Sequence, residues 1–283
     1  MPANGGENTI ISCIICGGLV FKPALDCESF SFVRCGKCSL VQRNPRFSEK
    51  EIIERYSNKY GQDYLSYELE NENVFLELQK LALKDVGFLK LQENILLKNS
   101  SAKLLDIGCA TGAFLALLQN NGWDVTGVEI SPCAEYAREN RKLDIKNIPL
   151  EECNFASGIF DVILASHLIE HLNDPRNFLL EVFRILKKDG YFFVTTPNIS
   201  GFQARLFGSN WRSAIFDHLY LFSKRTLSKL LKDTGFKIES CRTWGGLAKG
   251  LARGSVPSWI KKIVDKHAKV FGFGDVMIFR VKK

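Results

Sequence analysis

Leu104-Leu105-Asp106-Ile107-Gly108-Cys109-Ala110-Thr111-Gly112-Ala113-Phe114-Leu115 is an apolar run that breaks at glycine and resumes with helical spacing. A buried strand feeding a tight turn and then a helix is the corner on which α/β proteins bind nucleotide-like ligands. Gly108 and Gly112 let the backbone bend and approach a ligand, and the first N–H groups of the following helix can meet a carboxylate or phosphate. About twenty residues on, Val125-Thr126-Gly127-Val128-Glu129 reads as a second strand ending in an acid where ribose hydroxyls would lie. A dinucleotide enzyme would carry G-x-G-x-x-G at this corner; the chain has D-x-G-x-x-x-G, from Asp106 to Gly112.

Outward from the corner, short apolar runs alternate with amphipathic segments, the rhythm of a parallel sheet. The pattern predicts strands at about 102–107, 124–129, 145–147, 160–165, 191–196, 236–243 and 275–281, and helices at about 112–121, 131–142, 174–187 and 223–234. Ser223 reads as the N-cap of the last helix and Gly235 as its stop. Upstream, Ile52, Ile53 and Tyr56, then Val74, Phe75, Leu78, Leu81, Ala82 and Leu89, recur at three- and four-residue steps and predict helices that dock on the main domain.

Nine cysteines in 283 residues, without a basic and then apolar leader, favour reduced thiols or metal ligands over a disulfide framework. Cys13-x2-Cys16 and Cys35-x2-Cys38 have the spacing of a four-thiolate structural zinc site, and the β-formers around Leu19–Phe21 and Ser31–Arg34 suit a zinc ribbon. Cys27, between the pairs, reads as a bystander. Lys22, Arg34, Lys37, Arg43 and Arg46 are too sparse, and too little interleaved with aromatics, to favour a nucleic-acid grip. The expected organisation is a zinc module at 1–47, a helical linker at 48–100, and an α/β domain at 101–283 with a Rossmann-like, mostly parallel seven-stranded sheet covered by helices on both faces.

The glycine loop after the first strand and Glu129 after the second resemble the first two motifs of class I S-adenosylmethionine-dependent methyltransferases. Ala110 stands where many members have a second glycine. The resemblance implies that S-adenosylmethionine is the cofactor, that Gly108, Cys109 and Ala110 line its methionine end, that Gly112 belongs to the same cofactor-binding loop, that Asp106 orients the loop, that Glu129 grips the ribose, and that Ile130 packs on the adenine. Phe160-Asp161-Val162-Ile163 followed by Glu170-His171 resembles the family's fourth motif. It implies that the residues after this strand border the transferred methyl group, with Glu170-His171 shaping the loop.

His167 is the candidate general base, because an imidazole titrates near neutral pH and can take the proton of an acceptor hydroxyl; His171 and His218 complete the catalytic candidates. His167-x2-Glu170-His171 also matches a zinc-peptidase string, but it lies just past a strand rather than on one helix. In small-RNA 2′-O-methyltransferases a similar E-x-x-E-H segment and a later histidine hold magnesium. Here His167 replaces the first acid and His218 would be the later ligand, a set suited to a softer metal. Asn198, Trp211, Arg212, His218 and Tyr220 are the acceptor-side candidates of the last third.

Between Gly245 and Gly272 six basic residues face one acid, Asp265, among Leu247, Leu251, Trp259, Ile260 and Phe271. The segment reads either as a helical flap with a solvated basic face or as a surface for a membrane, or for a lipid-linked or nucleotide-linked acceptor. With a formal charge of +7, no run of about 18 apolar residues and no secretory leader, a cytoplasmic protein is expected. The methyltransferase resemblance covers about residues 65–283, and the whole pattern, cysteine module, helical linker and methyltransferase domain, resembles bacterial methyltransferases associated with sugar or surface-polysaccharide modification, which implies O-methylation of a small-molecule or glycan acceptor. The rival readings are an RNA methyltransferase and a non-catalytic binding protein of the same fold.

Overall fold

A computed structural model describes residues 10–46, 59–245, 268 and 272–283. Seven strands form the central sheet in the order β10-β11-β8-β7-β4-β5-β6, where β4 is Lys103–Ile107, β5 Asp124–Val128, β6 Ile145–Lys146, β7 Phe160–Ser166, β8 Leu186–Pro197, β10 Lys237–Trp244 and β11 Val276–Lys282. β6, β5, β4, β7 and β8 run parallel, and β11 inserts antiparallel between β8 and β10. Counted from β4, the order is 3-2-1-4-5-7-6. The chain reverses its winding between β4 and β7, and the crevice at the carboxyl ends of those two strands is where such sheets take a ligand.

The central strands are apolar along their whole length because helices cover both faces, as for Leu104, Leu105 and Ile107 on β4 and Val162, Ile163 and Leu164 on β7. Helices α3 (Ala113–Asn120), α4 (Cys133–Arg141), α5 (Pro175–Ile185) and α7 (Lys224–Asp233) supply the cover. Asp174 caps α5 by accepting from the N–H groups of Arg176 and Asn177, with Pro175 at the first helical position. Ser223 and Thr226 form a reciprocal capping box on α7, and Gly235 follows it at φ 100°. Helix α5 ends at Ile185 and β8 begins at once, five residues earlier than the pattern predicts. Main-chain pairing of Leu186 with Phe160 draws the turn residues into the ladder.

Upstream helices form as α1 (Lys59–Asp85) and α2 (Phe88–Lys98), but the docking face differs from the expected one: Val74, Leu78, Leu81 and Leu89 are exposed, and contact with Trp123, Phe114 and Phe193 runs through Ala82, Leu83, Val86 and Phe88, while Ile52, Ile53 and Tyr56 lie outside the described residues. A remaining short helix, α6 (Phe202–Phe207), follows β8. Among the described residues no helix is long and apolar enough to cross a membrane. The basic segment lies outside the described residues apart from its ends and Ala268.

The N-terminal strands β1 (Phe21–Cys27), β2 (Phe30–Cys35) and β3 (Val41–Arg43) are antiparallel neighbours, and β1 starts at Phe21, leaving Leu19 and Val20 exposed. Their sheet is completed by β9 (Tyr220–Leu221), which pairs with β3 through Val41–Leu221 and Gln42–Tyr220. Cys13, Ile15, Cys35, Cys38 and Leu40 share one buried cluster with Ile163, Phe192 and Tyr220. The cysteine module is thus built into the α/β body and not hung from it.

Candidate active site

At the end of β4 the chain turns through Gly108 (φ 74°), Ala110 (φ 47°) and Gly112 (φ 74°). A Cβ on Gly112 would stand 2.6 Å from Leu143 Cδ1 and 3.1 Å from Ala137 Cβ, in a backbone region L-residues avoid, so only glycine fits. Ala110 tolerates the left-handed conformation because Glu129 holds it: Glu129 Oε2 accepts from the Ala110 N–H (2.9 Å) and Oε1 from the Ser131 N–H (2.8 Å). Asn147 Nδ2 donates to the Glu129 carbonyl at 2.7 Å and fixes the strand end. The corner is therefore one unit, with the acid of the second strand bracing the loop of the first.

Asp106 is buried beneath the loop; burial first, and the Glu129 charge second, push its carboxyl up to about 8. Cys109 faces the loop with its backbone alone, since its sulfur lies under β5, 2.7 Å from where a Cβ on Gly127 would be. Ile130 is 60% exposed, an apolar surface open at the crevice. Sequence reading missed Glu72 of α1, which accepts from Thr111 Oγ1 (2.7 Å) and pairs with Arg141, whose Nε donates to the Thr111 carbonyl (2.9 Å).

The histidines gather past β7. His167 has φ 52°, a strained value for a non-glycine residue, with its N–H on the Thr195 carbonyl at 2.9 Å. Its imidazole is half exposed, and Nδ1 lies 3.4 Å from Oε1 of the fully buried Glu170. Glu170 Oε2 accepts from Thr196 Oγ1 at 2.9 Å, and the Glu170 carbonyl accepts from the N–H groups of Leu219 and Tyr220. Burial raises the Glu170 carboxyl, but His167 foremost, with His171 and His218, outweighs it and brings it to about 2. Glu170 therefore stays ionised.

His171 Nδ1 is 3.0 Å from the Asp217 carbonyl and His218 Nδ1 is 2.7 Å from the Ser213 carbonyl. A carbonyl only accepts, so each neutral ring carries its proton on Nδ1 and keeps a free lone pair on Nε2. The rings meet edge to face at 4.6 Å, and burial lowers His218 to about 4, so it stays neutral. One ligand atom from each of Glu170, His171 and His218 lies within 4.8 Å of the others, and Glu170 Oε1 has no hydrogen-bond partner. Two imidazoles and one carboxylate, each oriented through its other atom, are a donor set for a divalent ion.

Other acceptor-side candidates serve the framework. Trp211 Nε1 and Arg212 Nε both donate to the buried carboxylate of Asp275, and Asn198 Nδ2 donates to the Gly274 carbonyl at 2.9 Å, tying the loop after β8 to the start of β11. Tyr220 is fully buried with its hydroxyl on the Asn173 carbonyl at 3.1 Å.

In the N-terminal module Cys13, Cys16, Cys35 and Cys38 bring their sulfurs within 4.8 Å of one another, with Cys13–Cys38 at 3.3 Å and Cys16–Cys35 at 3.5 Å. Burial raises Cys13 and Cys38, whereas the N–H groups of Cys38 and Lys37 outweigh burial at Cys35 and bring it to about 7. Cys27 stands apart, near the Ser209 and Ala214 carbonyls.

Residues 78–241 match the family model described as a methyltransferase domain. A ubiquinone biosynthesis O-methyltransferase of Rickettsia typhi is 24% identical over 218 residues, covering 72% of this chain and 82% of that protein. The enzyme of the same description from Pelagibacter ubique is 36% identical over 102 residues, covering 34% of this chain and 42% of that protein. Among solved structures, an S-adenosylmethionine-dependent methyltransferase of Thermotoga maritima, described as a "possible histamine N-methyltransferase", superposes with a TM-score of 0.54 at 25% identity, covering 82% of this chain and 98% of that one. With more than half its length matched by the family model, a sheet of order 3-2-1-4-5-7-6 and an acid-braced glycine corner, the chain belongs to the methyltransferase-domain family and is an S-adenosylmethionine-dependent methyltransferase.

Proposed function

We propose that the enzyme methylates a hydroxyl oxygen of a small-molecule or glycan acceptor, with His167 as general base. The observation that carries this reading is the half-exposed His167 imidazole beside the ionised, buried Glu170, at the carboxyl end of the strand next to the cofactor corner. Bound S-adenosylmethionine supplies a methyl group on a positive sulfur that leaves as a neutral thioether. The residues need only align the acceptor oxygen in line and take its proton. Nδ1 of His167 lies 3.4 Å from Glu170 Oε1, and the half-exposed ring leaves Nε2 to receive that proton. Relatives named as O-methyltransferases support oxygen as the accepting atom.

Incubation with S-adenosylmethionine and a panel of catechols, sugars and nucleotide sugars, read by mass spectrometry, should yield a product methylated on oxygen. His167→Gln should slow that transfer roughly tenfold while leaving cofactor affinity unchanged. Methyl found on nitrogen or carbon, or full activity in His167→Gln, would remove this reading.

Two metal assignments belong with it. Zn–S bonds of about 2.3 Å place neighbouring sulfurs roughly 3.8 Å apart, and four sulfurs within 4.8 Å fit that shell. Cys13, Cys16, Cys35 and Cys38 would hold a structural zinc ion. Glu170, His171 and His218 would hold a second divalent ion, favoured by the orphaned Glu170 Oε1 and the two free Nε2 atoms. Chelation that spares the cysteine-bound zinc should lower transfer about tenfold, with recovery on adding Mn2+ or Co2+. A chelated enzyme at full rate that titrates no divalent ion would eliminate the second site.

A further inference from the structure

Helix α1 packs one face against the body through Leu76, Ala82, Leu83 and Val86, yet a second apolar row runs along its free flank. Tyr67, Val74, Leu78 and Leu81 are each about half exposed. At 3.6 residues per turn these four side chains fall within a stripe about 60° wide. Their steps of seven, four and three residues are those of a coiled-coil seam. A single exposed leucine is ordinary; a seam about four turns long, on a helix that already has a buried face, is more than the fold of one chain uses.

The charges beside the seam select its occupant. On its outer edge stand Glu70 and Glu77, then Lys84 in the last turn, all exposed. Glu77 pairs with Lys80 of the same helix at 2.9 Å, whereas Glu70 and Lys84 make no ion pair among the described residues. Two such helices laid parallel would set glutamate beside glutamate. Laid antiparallel, about a two-fold axis midway between Val74 and Leu78, they bring Leu78 of each onto Val74 of the other and Glu70 of each beside Lys84 of the other. An anionic bilayer would instead meet Glu70 and Glu77 on the edge it had to approach. Next to the seam, α1, α2 and α3 leave an open groove of about 320 Å³ lined by Leu81, Lys84, Phe88, Leu89 and Leu117. In the antiparallel pair Tyr67 of the partner subunit comes level with the last turn of α1, at the border of that groove, and a tyrosine seated in a preformed pocket is a typical interface anchor.

We infer that the free flank of α1 is the face through which two copies of the chain pair, antiparallel, with Val74 and Leu78 at the centre and two Glu70–Lys84 ion pairs at the edge. A two-fold contact closes on itself, so assembly stops at the dimer. Glu72 fastens the same helix to Thr111 and Arg141 at the glycine corner. The pair therefore joins the two cofactor corners through one helical strut.

Light scattering on the full chain as it elutes from a sizing column should give twice the chain mass. Leu78→Glu should weaken the dimer about 100-fold, and unchanged circular dichroism shows that this variant is folded. Glu70→Lys and Lys84→Glu should each weaken the dimer about tenfold alone. An equimolar mixture of those two variants should pair as tightly as the wild type, because every opposed pair is then of unlike charge. A chain that stays monomeric, a dimer that survives Leu78→Glu, or a mixture no tighter than its two components overturns the inference. Leu78-dependent binding of a monomeric chain to phosphatidylglycerol vesicles would overturn it in favour of a membrane surface.

Discussion

Replacing Glu129 by alanine is expected to weaken S-adenosylmethionine binding about 100-fold in calorimetric titration. With Glu129 gripping the ribose, as the family resemblance implies, two charge-assisted hydrogen bonds at the low end of about 1.5–3 kcal/mol each would set that scale. The same carboxylate accepts from the Ala110 and Ser131 N–H groups, so its loss also releases a loop residue held at φ 47°. Glu129→Gln separates the two effects. It keeps one acceptor for the Ala110 N–H and should lose roughly tenfold in affinity, with little change in melting temperature. A fall of less than about threefold in Glu129→Ala would show that the ribose is held elsewhere.

Cys35→Ser is expected to abolish transfer, by about 100-fold or more, while S-adenosylmethionine affinity stays within roughly fivefold of the wild type. With the zinc ion proposed for the four cysteines in place, one missing thiolate would undo the module, because structural zinc sites contribute about 10–16 kcal/mol of binding free energy that is also folding free energy. Its β3 pairs with β9, the Arg43 N–H donates to the Leu219 carbonyl and its guanidinium to the Phe216 carbonyl, and Arg46 Nη1 donates to the Asn173 carbonyl at 3.0 Å. These bonds hold the stretch 213–222, which supplies His218 and the carbonyl that orients His171. The glycine corner lies on other strands and keeps its braces. Measuring methyl transfer, cofactor affinity and bound zinc on one preparation checks this, and a zinc-free variant with normal turnover would refute it.

The parallel sheet, its glycine corner and the cysteine knuckles were legible in the chain because each depends on short-range pattern. Strand and helix periods lie within a dozen residues, and two Cys-x2-Cys pairs carry their own spacing. What escaped reading depends on distant partners. A two-residue strand such as Tyr220–Leu221 has no periodicity to betray it, and its pairing with Val41 and Gln42 is set by the folded body. Glu72 and Arg141 lie far apart in sequence and meet because α1 docks across the corner, although the spacing of Tyr64, Glu68 and Glu72 was a usable sign of a polar helix face. Trp211, Arg212 and Asn198 looked like acceptor residues because polar and aromatic side chains sit on a loop. The buried Asp275 and the Gly274 carbonyl that claim them come more than sixty residues later.

Completion of the four-stranded sheet by β9 sets an order for birth on the ribosome. At roughly 5–20 residues per second, the ribosome takes roughly 10–35 s to pass from Arg43 to Tyr220, the stretch that separates β3 from its last partner. For that interval a zinc-loaded nascent knuckle would present the bare edge of Val41 and Gln42 to its surroundings. The α/β body emerges meanwhile and can close over it only when the strand after His218 leaves the tunnel. The cysteine module, made before the α/β body, is thus finished late, and a chain truncated before Tyr220 carries an open strand edge instead of a dormant domain.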